Sequence, residues 1–235
     1  MQKKFVEYIW DKMIEVVEQT VRQVYFQELV AGTLPMDKFK FYAKQNYKYL
    51  VEYTKTLAIA LAKSPDYDTE QVWKNGLIEV NDVEIPFFRE YCRKELGLSI
   101  DELEGTIMSN IKRSYTSHEL ARAWEGSSAE LLAAILPCAL CYWQNALRLS
   151  EMCKLPKEHL YRRWIDLYFE PAYVKLCEDL IATMNNLCEG KTEKELRRIE
   201  EIFLVSCQYE LLSWDAYYNK VTWPMPQVFR DIERR

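Results

Sequence analysis

FVEYIWDKMIEVVEQTVRQV, residues 5–24, decides the class of fold. Phe5, Ile9, Met13, Val16, Val17, Val21 and Val24 recur at three- and four-residue intervals, the mark of one buried face on an α-helix. The same period continues down the chain. It predicts a helix ending at Gly32-Thr33-Leu34-Pro35, and a second from about Met36 that Ser64-Pro65 stops. A third runs from about Thr69 to Leu96, broken or kinked by Pro86 and ended by Gly97. Ser99 to Glu102 is a capping box opening a short helix. Further helices follow from about Ser114 to Trp124, from a cap at Ser127 or Ser128 to about Met152, and from Pro156 to near Tyr168. The last two run from about Pro171 to Cys188, and from a second capping box at Thr192–Glu195 to about Asn219. Nothing alternates with period two for long enough to make a strand. The expectation is one all-α domain over residues 1–235, a single-domain multi-helix bundle of eight or nine helices. An irregular tail, or an oligomer contact, begins at about 220.

Composition supports this class and removes several functions. The 235 residues include 6 Gly and 8 Pro, too few for the turns of an all-β chain or for long linkers. With 31 Lys+Arg against 36 Asp+Glu the net charge is −5, which argues against nucleic acid or an anionic membrane as partner. The longest apolar stretch, Leu131 to Leu147, contains Pro137, Gln144 and Asn145 and reads as a core helix and not a membrane span. No signal peptide is evident at the N-terminus. Seven scattered cysteines do not suit a secreted disulfide scaffold, so a cytoplasmic protein with reduced thiols is expected.

Chemistry concentrates in a few places. Tyr42, Asn46, Tyr49 and Tyr53 share one face of the second helix, a pattern suited to stacking and edge-bonding a flat heteroaromatic ligand. Tyrosines filling a core edge would give the same spacing. In LLAAILPCALCYWQ (131–144), Pro137 removes the helical hydrogen bond to Ala133 and can open space around Cys138. A thiolate there could be a nucleophile; an inert buried thiol is the bland alternative. Cys138 and Cys141 form C-x-x-C, but no second pair accompanies it for zinc and no βαβ context for redox chemistry. In IFLVSCQYELLSW (202–214) Glu210 is the single charge. A buried carboxylate must be paired or have its pKa raised, and a raised pKa suits a general acid. Ser114-Tyr-Thr-Ser-His118 adds a polar cluster at a helix start, where capping alone could account for the hydroxyls.

Taken in order and spacing, GTLPMDKFKFYAKQNYKYL (32–50), SYTSHE (114–119), LLAAILPC (131–138) and YELLSW (209–214) resemble the TenA (thiaminase II) family. The resemblance spans Gly32 to Tyr218. It implies a haem-oxygenase-like helical fold without haem, assembled as a homotetramer, that hydrolyses amino-pyrimidines in thiamin salvage and can cleave thiamin. It also implies no metal and no organic cofactor. Cys138 matches the nucleophile that attacks the pyrimidine ring, and Glu210 the carboxylate that protonates a ring nitrogen. Tyr49, Tyr115, Tyr142 and Tyr168 match pocket tyrosines. Two positions depart from the pattern: Asn46 stands where the family has an Asp that binds the ring's amidine edge, and Ser213 replaces a common aromatic. Asn46 can donate and accept but cannot carry charge. A non-catalytic, regulatory binder of a pyrimidine-like ligand is the alternative that Asn46 favours. A di-metal oxidase is disfavoured, because neither His118 nor His159 follows a Glu at Glu-x-x-His spacing.

Overall fold

The computed structural model describes residues 4–229. It is all-α, with no strand among the described residues, and the chain divides into two compact units.

The first unit comprises residues 4–34 and 125–215. It holds α1 (Phe5–Val21), α2 (Val24–Ala31), α8 (Ser128–Met152), α9 (Leu160–Leu167), α10 (Pro171–Cys188) and most of α11 (Glu193–Asn219). The face anticipated on α1 is buried: Ile9, Met13 and Val17 are almost wholly hidden. The helix nevertheless ends sooner than its periodicity suggests. Gln23 is extended (φ −64°, ψ 149°), and its side-chain Nε2 donates to the Leu211 carbonyl at 3.0 Å. Val24 therefore starts a new helix with its side chain half exposed instead of completing the old face. Gly32 closes α2 at φ +75°, with Leu155 packed where a β-carbon would stand. Helix α9 begins at Leu160 and not at Pro156, because His159 Nδ1 accepts the Tyr161 amide at 3.2 Å and caps it.

The second unit comprises residues 35–124 and 216–229. Its helices are α3 (Met36–Ala62), α4 (Tyr67–Ile78), α5 (Ile85–Leu96), α6 (Ile100–Glu104) and α7 (Asn110–Glu125, to Trp124 in this unit). Pro86 does not break the helix at its own position. A π-turn at Glu79–Glu84 interrupts the ladder just before, leaving the proline in the first turn of α5 where a missing N–H costs little. Helix α7 starts at Asn110, four residues earlier than expected. Ser109 Oγ accepts the Lys112 amide at 3.2 Å, while Gln45 holds the approach, donating to the Ile107 carbonyl (3.1 Å) and accepting the Ser109 amide (2.7 Å). At the other end Lys63 Nζ donates to the carbonyls of Ala123 (2.8 Å) and Trp124 (3.0 Å), placing a cation on the negative end of the helix dipole. Beyond α11, residues 220–229 contain only a 3₁₀ turn at Pro226–Phe229, and Trp223 Nε1 donates to the Met108 carbonyl at 2.9 Å. The rest of the tail lies outside the described residues. Eleven α-helices are thus described where eight or nine are expected; the splits at Gln23 and at the π-turn account for two of the additional elements.

Candidate functional site

The seven expected site residues fall into two sets, one in each unit. Cys138, Tyr142, Tyr168 and Glu210 belong to the first; Asn46, Tyr49 and Tyr115 belong to the second.

Helix α8 carries Cys138 and Tyr142 one turn apart. Its start is fixed by a reciprocal cap, in which Ser127 Oγ accepts the Glu130 amide and Glu130 accepts the Ser127 amide at 2.7 Å. Helix α11 runs alongside in a readable register. Ser206 Oγ donates to the Ala134 carbonyl at 2.7 Å, and the rings of Tyr142 and Trp214 lie 5.4 Å apart. Both pairs are 72 positions apart in sequence. The Cys141–Cys207 hydrogen bond crosses the same parallel pair at an offset of 66, and Cys141 feels the charges of both Glu210 and Cys138, so thiol and carboxyl flank the same buried sulfur. Glu210 is 1% exposed. Tyr168, at the C-terminal end of α9, places its ring 4.8 Å from that of Tyr142 and 5.2 Å from that of Trp164. Trp164 and Trp214 extend this aromatic wall, with rings 5.8 Å apart. Sequence reasoning passed over both indoles, although Trp214 is one turn from Glu210 and Trp164 one turn from Tyr168.

The thiols divide by access. None of the seven cysteines, all within the described residues, forms a disulfide, and Cys138 alone is not buried. Burial pushes Cys92 and Cys177 up to about 12 and Cys188 to about 11. Cys141 is raised well above the ordinary thiol value, first by its hydrogen bond with Cys207, then by burial and by the nearby charges of Glu210 and Cys138. Cys141 is therefore a protonated spectator, and C-x-x-C here is one accessible sulfur followed by a buried one.

In the second unit Tyr49 is the hub. Its ring lies 5.8 Å from that of Tyr115 and stacks at 5.6 Å on Tyr53, and its hydroxyl donates to Glu119 Oε1 at 2.8 Å. The Lys112 ammonium stands 4.6 Å from the Tyr49 ring centre, 5.1 Å from that of Tyr115 and 5.6 Å from that of Tyr217. Lys112 and Glu119 are both buried, so the same phenol has a cation over its ring and an anion at its hydroxyl. Neither was singled out from the sequence, although SYTSHE contains Glu119. Asn46, one turn before Tyr49 on α3, is 7% exposed. Tyr42 packs against Phe39 and Tyr217, as a core residue does. Among the described residues no cluster of His, Cys, Asp and Glu is disposed to hold a metal ion, and no helix is long and apolar enough to cross a membrane.

The described residues define a class: an all-α protein with one thiol that is not buried and a buried carboxyl on neighbouring helices, lined by aromatic rings. A sequence model described as the TENA/THI-4/PQQC family matches residues 10–220, and the chain belongs to that family. It is 31% identical to the aminopyrimidine aminohydrolase of Halalkalibacterium halodurans, over 93% of this chain and 97% of that protein. It is 30% identical to the aminopyrimidine aminohydrolase of Bacillus subtilis, over 94% of this chain and 92% of that one. Among solved structures, the TenA homologue from P. horikoshii OT3 superposes with a TM-score of 0.84 at 24% identity, covering 92% of this chain and 99% of the other.

Proposed function

We propose that this chain hydrolyses amino-pyrimidines in thiamin salvage, without a metal or organic cofactor. The reading is supported by Cys138, the one thiol that is not buried, on helix α8, and by buried Glu210 on the neighbouring helix α11, both acting on Cys141 between them. Cys138 sulfur adds to a ring carbon while Glu210 gives its proton to a ring nitrogen. The electron-rich adduct expels the amine from the exocyclic carbon, water bonds there in its place, and loss of the ring-nitrogen proton releases the Cys138 thiolate. Tyr142 and Tyr168, with Trp164 and Trp214, supply aromatic faces for the ring. Asn46, Tyr49 and Tyr115 serve in binding. The similarity to two aminohydrolases over nearly their whole length supports the same reading. The seven free thiols suit a cytoplasmic setting, and the family resemblance suits a homotetramer, which light scattering on the purified chain would test.

The test is turnover of aminomethylpyrimidine and of thiamin by the parent chain and by Cys138→Ser, with intact-mass detection of a trapped adduct. Turnover and an adduct in the parent, both lost in the serine variant, are expected. The second reading, a pyrimidine binder without catalysis, is favoured by the uncharged Asn46. Saturable binding with neither adduct nor turnover would establish it in place of the first.

A further inference from the structure

Two buried polar side chains on the α8–α11 pair lack a role in the chemistry so far. Asn145 is 2% exposed and Ser213 is 1% exposed. Among the described residues neither Nδ2 nor Oδ1 of Asn145 has a hydrogen-bond partner, and Ser213 Oγ has none either. Ser213 does not even make the back-bond to its own helix that serines commonly form. Burying such a group unpaired is costly, so folded proteins pair them with protein or with ordered water.

Their positions are specific. At about 100° per residue, Asn145 falls between Cys138 and Cys141 on the helical wheel, all three within roughly 60° of arc. Ser213 lies three residues past Glu210, on the same face of α11. The pairs Ser206–Ala134 and Tyr142–Trp214 put the level of Ser213 at Cys141, and the Cys141–Cys207 hydrogen bond moves it further along α8, so Ser213 lies within about one turn of Asn145 along the helix axes. The two orphaned groups thus lie within about 6 Å of each other along the helix axes, Ser213 one turn past Glu210 and Asn145 two turns past Cys138. Aromatic rings border the same stretch, so a water there would have few other polar partners.

We propose that Asn145 and Ser213 hold the water that hydrolysis consumes. The assignment rests on the hydrolase reading. A held water needs about three hydrogen bonds, and one carboxamide with one hydroxyl offers acceptors for its protons and donors for its oxygen. Sulfur of ionised Cys138 bonds to the ring carbon, a ring nitrogen takes the Glu210 proton, and the amine leaves from its ammonium form with the C–N electron pair. The water oxygen supplies the pair for the new C–O bond, and its surplus proton passes to the Glu210 carboxylate. The ring nitrogen then loses its proton to the departed amine, and sulfur takes back the C–S pair. One water is consumed and one ammonium is released. Asn145 and Ser213 are positioning residues throughout and neither gains nor loses a proton.

The experiment separates formation of the adduct from its breakdown. Aminomethylpyrimidine is mixed with the parent, Asn145→Leu and Ser213→Ala in single-turnover mode, and the Cys138 adduct is followed by intact mass with and without added methoxyamine. Adduct formation at the parental rate is expected in both variants, with breakdown by water slowed about tenfold or more in Asn145→Leu and less in Ser213→Ala. Methoxyamine should then capture a correspondingly larger share of product. A merely structural role would slow formation and breakdown together and leave the captured share unchanged, and that result overturns the assignment. Ser213→Ala removes a single oxygen and answers the question should Asn145→Leu fail to fold. A parent that forms no adduct overturns the hydrolase reading, and the assignment with it; a parent that turns over beside variants of unchanged partition overturns the assignment alone.

Discussion

Replacing the Asn46 carboxamide with a carboxylate changes its charge and hardly its size. Under the hydrolase reading, Asn46→Asp should raise kcat/KM on aminomethylpyrimidine about tenfold to a hundredfold, because a charged acceptor bonds an exocyclic amine more strongly. Rates for both proteins over pH 5–9 test this, and an equal or lower rate throughout would mean that the pocket is built around the amide. Glu84 bears on stability. Its carboxyl is raised to about 7, chiefly by burial and then by the charge of Glu79. A raised acid costs nothing below its ordinary value of 4.5, and the cost grows as pH climbs to 7 and is complete above it. Glu84→Gln should therefore stabilise the protein at pH 8 by about 1–3 kcal/mol, towards the low end because the side chain keeps some solvent access, and leave it unchanged at pH 4. Urea titrations at the two pH values decide it. Cys138 and Glu210 stand out in the sequence as candidates because each is chemically conspicuous, a thiol after a helical proline and a lone charge in an apolar run. Lys112 and Glu119 do not, since a lysine and a glutamate on a polar helix read as solvent-facing until tertiary packing buries them.

Helix ends written in local code were the readable ones. The boxes at Ser99–Glu102 and Thr192–Glu195 form as spacing predicts, with each glutamate accepting the amide of its own cap residue at 2.9 and 2.8 Å. Breaks that depend on distant partners were illegible: the split between α1 and α2 is fixed by Gln23 bonding to Leu211, 188 residues away. The early start of α7 is a break of the same kind, held by Gln45 from α3. Gln45→Leu should cost about 2–4 kcal/mol, since it strands the buried Ser109 amide and the Ile107 carbonyl. Chemical denaturation would show the loss. Because the segment leads into Lys112 and Tyr115, a raised KM at unchanged kcat should accompany it. An unaltered midpoint would mean that the capping serine holds the segment unaided.

Across the whole molecule the carboxylates set an acid limit. Glu102 is lowered by the Ser99 amide and by Lys44, and Glu195 by the Thr192 hydroxyl and amide. Glu130, despite the cost of its partial burial, is lowered by the Ser127 amide and Arg198. Groups lowered on folding stabilise above their ordinary pKa near 4.5, and that contribution is lost as pH falls through the folded values. Melting temperature should therefore drop below about pH 4.5, and with the Glu84 penalty above it the widest margin falls at about pH 5–6. A flat profile between pH 3 and 5 would refute the acid limb. The order of the chain carries a further consequence, one of time. The first unit is discontinuous, with residues 35–124 lying between its two parts. On the ribosome α1 emerges roughly a hundred residues ahead of α8, a wait on the order of 5–20 s at ordinary rates of synthesis. Throughout that interval Ile9, Met13 and Val17 have no α8 to cover them, so the nascent chain offers a chaperone its clearest grip before half of it has been translated.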